Sequence, residues 1–147
     1  MKIFDVRVKR FKSTAKTERD SEGHGHPGPE RESVQSLTEI ITEEGVSGYC
    51  FGGSQSVMDG VVKPAIVGED PMYREKIWQR LNEWQRLHKG VLSDRVIAGV
   101  DMALWDLAGK AAGVPIYQML GGKMFDRIKM YRATGGQLPW AIEPGEP

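Results

Sequence analysis

Three features of the 147-residue chain predict an α+β fold. Strand-type patterns fall before Phe51, helix-type periodicity fills the stretch from Ser54 to Leu120, and one further strand pattern follows at Ile128 to Thr134. That last strand has no sequence neighbour to pair with. A strand buried alone leaves its backbone groups unsatisfied, so a second structural unit is expected to begin there.

The elements follow in order. Met1 to Phe11 alternates, with Phe4, Val6 and Val8 on one side and Asp5, Arg7 and Lys9 on the other, the pattern of a half-buried strand. Lys12 to Arg31 holds one aliphatic residue, Ala15, among Ser, Thr, Gly, Pro, His and charge. It is expected to be a loop of about twenty residues, a length that usually marks a functional lid or disorder. Gly23 to Pro29, GHGHPGP, suits neither a helix nor a central strand. Ser33 to Thr42 fits two templates: Val34, Leu37 and Ile41 match a helix face, and Leu37, Glu39 and Ile41 match one face of a strand. Glu43-Glu44-Gly45 reads as a hairpin turn into a strand from Val46 to Phe51, which Gly52 and Gly53 break.

Helices fill the next stretch. Ser54 is a candidate cap for a short helix through Met58 to Lys63, ended by Pro64. Asp70-Pro71 is a start signal, and Tyr73, Ile77, Leu81, Trp84 and His88 mark one face of a helix ending near Gly90. From Ser93 to Gly122 the residues Val96, Val100, Ala103, Leu104, Leu107, Ala108 and Ala111 form one apolar stripe. Ser93 can cap this central helix, Gly113 can turn left-handed at its end, and Pro115 bars continuation. Asp106 and Lys110 make an i,i+4 pair expected on the solvent side. The small residues Ala98, Gly99, Ala108 and Gly109 would admit a close backbone neighbour. A short helical turn follows from Pro115 to Leu120.

The totals exclude several classes. Composition is 39% hydrophobic and 27% charged, ordinary for a globular protein with its own core. Net charge is zero, which gives no electrostatic case for nucleic acid or a membrane surface. No apolar run approaches the roughly 18–20 residues of a spanning helix, and no signal peptide is expected from the opening residues. Cys50 is the only cysteine, so no intrachain disulfide forms, and a cytoplasmic setting is expected.

The run Ala98, Gly99, Val100, Asp101, Ala103, Leu104, Asp106, Gly109, Lys110, Pro115, Ile116, Leu120 and Gly121 resembles the long motif of the mandelate racemase/muconate lactonizing enzyme family of the enolase superfamily. Val96 stands where that family usually has Ala, and Met119 where Leu is usual. The resemblance implies an enolase-like capping domain, a three-stranded antiparallel sheet followed by helices, over residues 1–125. It resolves Ser33 to Thr42 as a strand. It also implies that residues 126–147 start a (β/α) barrel, with the rest of the barrel outside this chain. It covers nearly all of this chain and about the first third of a complete family member. The implied chemistry is Mg²⁺-assisted removal of a proton α to a carboxylate, through an enediolate. The barrel supplies the Mg²⁺ ligands and the Lys or His base, so this chain is expected to carry no metal ligand and no catalytic base. The implied reaction is dehydration of an acid sugar by the intact enzyme. Alternatives are a racemase or cycloisomerase of the same family, or a non-catalytic capping or oligomerisation module. A homo-oligomer and a small carboxylate substrate are implied as partners.

The resemblance places two specificity loops over the barrel mouth, here Lys12–Arg31 and Tyr49–Gln55. Where the family usually has Gly-Trp-Gly-Glu, this chain has Gly48-Tyr49-Cys50-Phe51, which removes a carboxylate and adds a ring. His24 and His26 can hydrogen-bond a hydroxylated acid, or be solvated loop residues. Arg19 and Arg31 can pair with a substrate carboxylate, or be surface charges. Phe51 can wall the substrate pocket or pack in the core, and Arg132 would lie at the mouth end of the barrel strand. Cys50 reads as a buried small hydrophobe rather than a nucleophile. Asp101, between Ile97 and Trp105, reads as architectural.

Overall fold

The computed structural model describes residues 1–87 and 92–128. Three antiparallel strands come first: β1 (Ile3–Arg19), β2 (Gly25–Thr42) and β3 (Ser47–Phe51), in the spatial order β1-β2-β3. Helices follow: α1 (Gln55–Val57), a π-helical turn (Met58–Val62), α2 (Lys63–Ile66), α3 (Arg74–Leu87), α4 (Asp94–Ala112) and α5 (Ile116–Met119). Segregated strands and helices make the fold α+β, as the sequence predicts. Of the expected barrel strand from Ile128 to Thr134 only Ile128 is described; the rest of it, Arg132 included, and His88 and Gly90 of the expected helix lie outside the described residues.

One layer of helices covers one face of the sheet. Val6 and Ile40 from the strands meet Met58, Val62, Ile66, Ile77 and Leu81, and Val100, Leu104 and Leu107 from the stripe of α4. Ile3 joins them, which simple alternation does not allow. A register shift between Ile3 and Asp5 inserts Phe4 as an extra residue, so Ile3 and Val6 share the core face. Phe4, expected to line up with Val6, is instead 59% exposed.

The expected loop over Lys12–Arg31 is a continuation of the first hairpin. The ladder runs on through Lys12↔Val34 and Ala15↔Arg31 to Arg19↔Gly25. This part is a two-stranded ribbon, because β3 reaches only from Leu37↔Phe51 to Ile41↔Ser47. Water lies on both of its faces, so no apolar alternation is required. Cross-strand ion pairs Lys12–Glu32 at 3.0 Å and Lys16–Glu30 at 3.5 Å take the place of buried contacts. The prolines are tolerated for the same reason. At this height β2 has one neighbour, Pro27 stands opposite Thr17, and Pro29 falls in the bulge between Ala15 and Thr17.

Pro64 does not end its helix. The turn before it is widened, with the Lys63 N–H bonding to the Met58 carbonyl five residues back. A π-turn at this place relieves the clash between a proline ring and the preceding turn, and α2 continues to Ile66. Ser54 precedes α1 and Ser93 precedes α4, but neither side chain makes a capping hydrogen bond. Asp70 organises a turn rather than the helix itself. Its carboxylate accepts the Met72 N–H at 2.9 Å, and α3 starts only at Arg74. Gly113 is left-handed, with φ 69°, and closes α4 as expected.

Helix α4 grips β3. Gly48 faces Ala103 and Leu107 so closely that a Cβ there would collide with the Ala103 carbonyl oxygen. Of the small residues expected to admit a close backbone neighbour, Gly109 does so, a Cβ there lying 3.0 Å from the Val114 carbonyl oxygen, while Ala98 is exposed; the strand itself approaches at Ala103, through its own glycine. Asp106 and Lys110 do form the expected pair, at 2.5 Å, but they face the open edge of β3 and not bulk solvent alone. Asp106 accepts the Tyr49 N–H at 2.9 Å, and Lys110 donates to the Ser47 carbonyl at 3.0 Å. The pair thus satisfies edge groups that would otherwise be free to pair with another strand.

Candidate functional site

The hairpin tip collects three of the residues singled out from the sequence. Asp20-Ser21-Glu22-Gly23 makes the turn, with the Gly23 N–H bonding to the Asp20 carbonyl and Gly23 at φ 86°. The Asp20 carboxylate holds the whole tip. It accepts the backbone N–H groups of Glu22 and His24, each at 2.9 Å, and Oδ2 lies 2.8 Å from His26 Nε2 and 3.3 Å from His24 Nδ1. The His26 hydrogen bond foremost, then those backbone donors, hold this carboxyl far below the usual carboxylate range. Asp20 is the residue that the sequence reading missed. Asp at the first position of a turn with Gly at the fourth was the available signal.

Arg19 and Arg31 are turned onto the backbone, Arg19 toward the Gly23 carbonyl at 3.4 Å and Arg31 onto the Thr17 carbonyl at 2.9 Å. Phe51 belongs to neither the core nor the tip. It is 71% exposed at the end of β3, edge-on to Phe11 with ring centroids 6.3 Å apart. Eight residues of strand separate Phe11 from Arg19, roughly 26 Å at the usual rise. In this conformation the histidine pair and the aromatic pair therefore form two separate surfaces.

At the level of the aromatic pair, but on the opposite, helix-facing side of the sheet and just past the core, lies a cleft of about 420 Å³. Its floor is Val8, Arg10, Val34 and Ser36, and its wall is Gly53 to Ser56. The wall is fixed in place. Gly52 and Gly53 have φ of 101° and 107°, a conformation that only glycine adopts without strain. Thr38 Oγ1 donates to the Gly52 carbonyl at 2.9 Å, and Ser36 Oγ to that of Gly53 at 3.1 Å. Gln55 Oε1 accepts the Val8 N–H at 2.8 Å.

A larger cleft, about 720 Å³, opens between the start of α3 and the middle of α4. There the Arg74 guanidinium stacks 3.8 Å above the Trp105 ring. Burial lifts the Asp101 carboxyl above its ordinary value, with Arg74 pulling the other way. Cys50 packs half-buried against the core, and burial pushes its thiol up, away from the reactive thiolate.

Among the described residues, no group of three or more His, Cys, Asp or Glu side chains is arranged to hold a metal ion. Asp20, Glu22, His24 and His26 are committed to one another and to the turn. The donor set present here does not fit Mg²⁺. None of the helices among the described residues is long and apolar enough to cross a membrane.

An α+β unit with a long first hairpin over a helical layer is the architecture of an enolase-type capping domain. The chain belongs to the mandelate racemase/muconate lactonizing enzyme family, whose N-terminal domain model matches residues 30–121. It is 41% identical over 109 residues to the D-galactonate dehydratase of Xanthomonas axonopodis pv. citri, covering 70% of this chain and 28% of that protein. It is 37% identical over 106 residues to the D-galactonate dehydratase of Variovorax paradoxus, covering 68% of this chain and 28% of that protein. Among solved structures, the D-glucarate dehydratase of Agrobacterium tumefaciens complexed with magnesium matches with TM-score 0.78 and 42% identity, over 84% of this chain and 33% of that one. An enolase-superfamily member from Polaromonas sp. JS666 matches with TM-score 0.67 and 27% identity, over 84% and 34%. The chain thus spans between a quarter and two fifths of the proteins it resembles.

Proposed function

We propose that this chain is the N-terminal capping part of an acid-sugar dehydratase, in which α-proton abstraction precedes loss of the β-hydroxyl. Residues 1–125 form the cap and residues 126–147 begin the barrel. The observation that carries this reading is the polar hairpin in a domain so similar to the caps of two sugar-acid dehydratases. A ribbon whose tip presents His24 and His26, each with one ring nitrogen turned to Asp20, leaves the other ring nitrogen of each imidazole to hydrogen-bond a substrate hydroxyl or carboxyl group. The Phe11–Phe51 pair offers an apolar rim at the ribbon's base. We assign His24, His26, Arg19, Phe51 and Arg132 to substrate contact and not to bond breaking, a reading that requires the ribbon to bend so that its tip comes down toward the level of Phe51. Magnesium, present in the Agrobacterium structure, would supply enediolate stabilisation in the complete enzyme, from ligands other than the residues described here. A homo-oligomer and a cytoplasmic setting accompany this reading.

The test is turnover of a panel of aldonates and aldarates with Mg²⁺, followed by loss of the substrate and formation of the 2-keto-3-deoxy product. Replacing His24 or His26 by Ala should lower kcat/KM by about 10- to 100-fold, the loss of one polar contact to substrate. Racemisation or cycloisomerisation of another carboxylate, with no dehydration, would remove the dehydratase reading.

A further inference from the structure

Nearly all the cations of the first hairpin are spoken for. Arg7 pairs with Asp5, Lys9 with Glu39, Lys12 with Glu32 and Lys16 with Glu30. Arg19 and Arg31 each donate to a carbonyl. Arg10 differs: among the described residues its side chain makes no ion pair and no hydrogen bond, and it lines the cleft of about 420 Å³. Opposite it stand Ser54 and Ser56, whose hydroxyls lie 2.9 Å apart. One of their two protons closes that pair, and the other is free to point at a ligand. The remaining polar groups of the wall are already used. Ser36 donates to Gly53, and the Gln55 side chain is held between the Val8 N–H and Asp59.

We propose that Arg10, with the Ser54–Ser56 hydroxyl pair, forms a subsite for the carboxylate at the non-reacting end of a sugar diacid. A guanidinium with all five N–H donors free matches the two oxygens of a carboxylate, and adjacent hydroxyls suit the sugar oxygen next to it. The cleft lies in the usual size range of small-molecule sites and has room for the end of a six-carbon chain with water. Its walls are held by the Gly52–Gly53 turn and its hydrogen bonds, so little ordering is needed on binding. The inference rests on the acid-sugar reading above and sharpens it. A six-carbon aldarate presents a carboxylate at both ends, whereas an aldonate presents a neutral hydroxymethyl group to Arg10. The site should therefore select diacids.

The experiment is isothermal titration of the intact protein with D-glucarate and with D-galactonate, as wild type, Arg10→Gln and Arg10→Lys. Wild type is expected to prefer the diacid, by about 10- to 100-fold, the scale of one charge-assisted bidentate contact. Arg10→Gln should erase that preference by lowering glucarate affinity far more than galactonate affinity, and Arg10→Lys should restore part of it. The ratio of the two affinities is the readout, since a general loosening of the cap would weaken both ligands together. A diacid preference that survives Arg10→Gln overturns the subsite and leaves the dehydratase reading standing. A wild-type preference for galactonate overturns it as well. Failure of the wild-type protein to bind either acid removes the acid-sugar reading and the subsite with it.

Discussion

Adding one methyl group at Gly48 should separate β3 from α4. The backbone of Gly48 is not left-handed, so alanine is conformationally allowed there. The obstacle is steric. A Cβ would collide with the Ala103 carbonyl oxygen and lie 2.6 Å from Leu107 Cβ and 2.7 Å from the Leu107 nitrogen. Two of these three atoms are helix backbone and cannot swing aside as a side-chain tip can. Overpacking of a tight core costs about 1–3 kcal/mol, and a clash against rigid backbone belongs at the upper end. A loss of about 3 kcal/mol should lower Tm by roughly 6–12 °C for a chain of this size. Gly99→Ala on the same helix is the internal control. Its Cβ would meet only Cys50 Sγ, at 3.8 Å, an ordinary contact. Alanine in place of glycine inside a helix should stabilise by about 0.5–1 kcal/mol. Thermal unfolding followed by far-UV circular dichroism, with urea midpoints as a check, measures both. The opposite signs are the test. A Gly48→Ala protein that melts with wild type, or a Gly99→Ala protein that falls alongside it, would refute the claim that Gly48 sets the strand–helix distance.

Glu39 is buried beneath Lys9, an ion pair at 2.7 Å rather than a well-aligned hydrogen bond, and accepts the Tyr49 hydroxyl at 2.9 Å. Burial pushes its carboxyl up, but Lys9 and Tyr49 together outweigh this and hold it below its ordinary value of 4.5. Its contribution is therefore complete above 4.5 and fades as pH falls through the lower folded value. Glu39→Gln should cost about 1–2 kcal/mol at neutral pH, and the gap from wild type should close in acid; urea midpoints that differ equally at both pH values count against it. Asp106→Ala leaves the Tyr49 N–H without its acceptor and Lys110 with only the Ser47 carbonyl. A loss of about 1–3 kcal/mol with faster exchange of the Tyr49 amide is expected, and an unchanged exchange rate would mean that the edge is capped in some other way. Asp20→Ala removes the acceptor of two backbone N–H groups and of His26. Limited proteolysis should cut the tip faster while global melting stays put, and a fall in melting temperature would show that the tip is coupled to the core.

The helical half of the fold was legible because its signals are local. The α4 stripe reports which face is buried, and Gly113 and Pro115 report where the helix must stop. The failures each have a physical source. Period-2 alternation appears only where a sheet has one dry face, and the ribbon from Lys12 to Val34 has none, so a regular hairpin looks like a loop. Phe4 was misplaced because a bulge shifts the register by one residue and no composition signal marks it. Pro64 reads as a stop until the π-turn before it is seen. The solvent-side reading of Asp106 and Lys110 took the helix as isolated, whereas the pair is defined by the open edge of β3.

Site residues divide along the same line. His24 and His26 could be picked out because imidazoles in a polar stretch are chemically conspicuous. Asp20 is one acidic residue among several in that stretch, yet it makes the hydrogen bonds that fix both histidines. Arg10 is the clearest case. Its place in the alternating strand gives it no distinction from Arg7 or Lys9. What distinguishes it is the pairing of every neighbour: once Asp5, Glu39, Glu32 and Glu30 have taken their own cations, a guanidinium remains unpaired beside a hydroxyl pair. A binding role of this kind is a property of the whole charge arrangement. It follows from the sheet register that sets each pair, which is why the sequence could not show it.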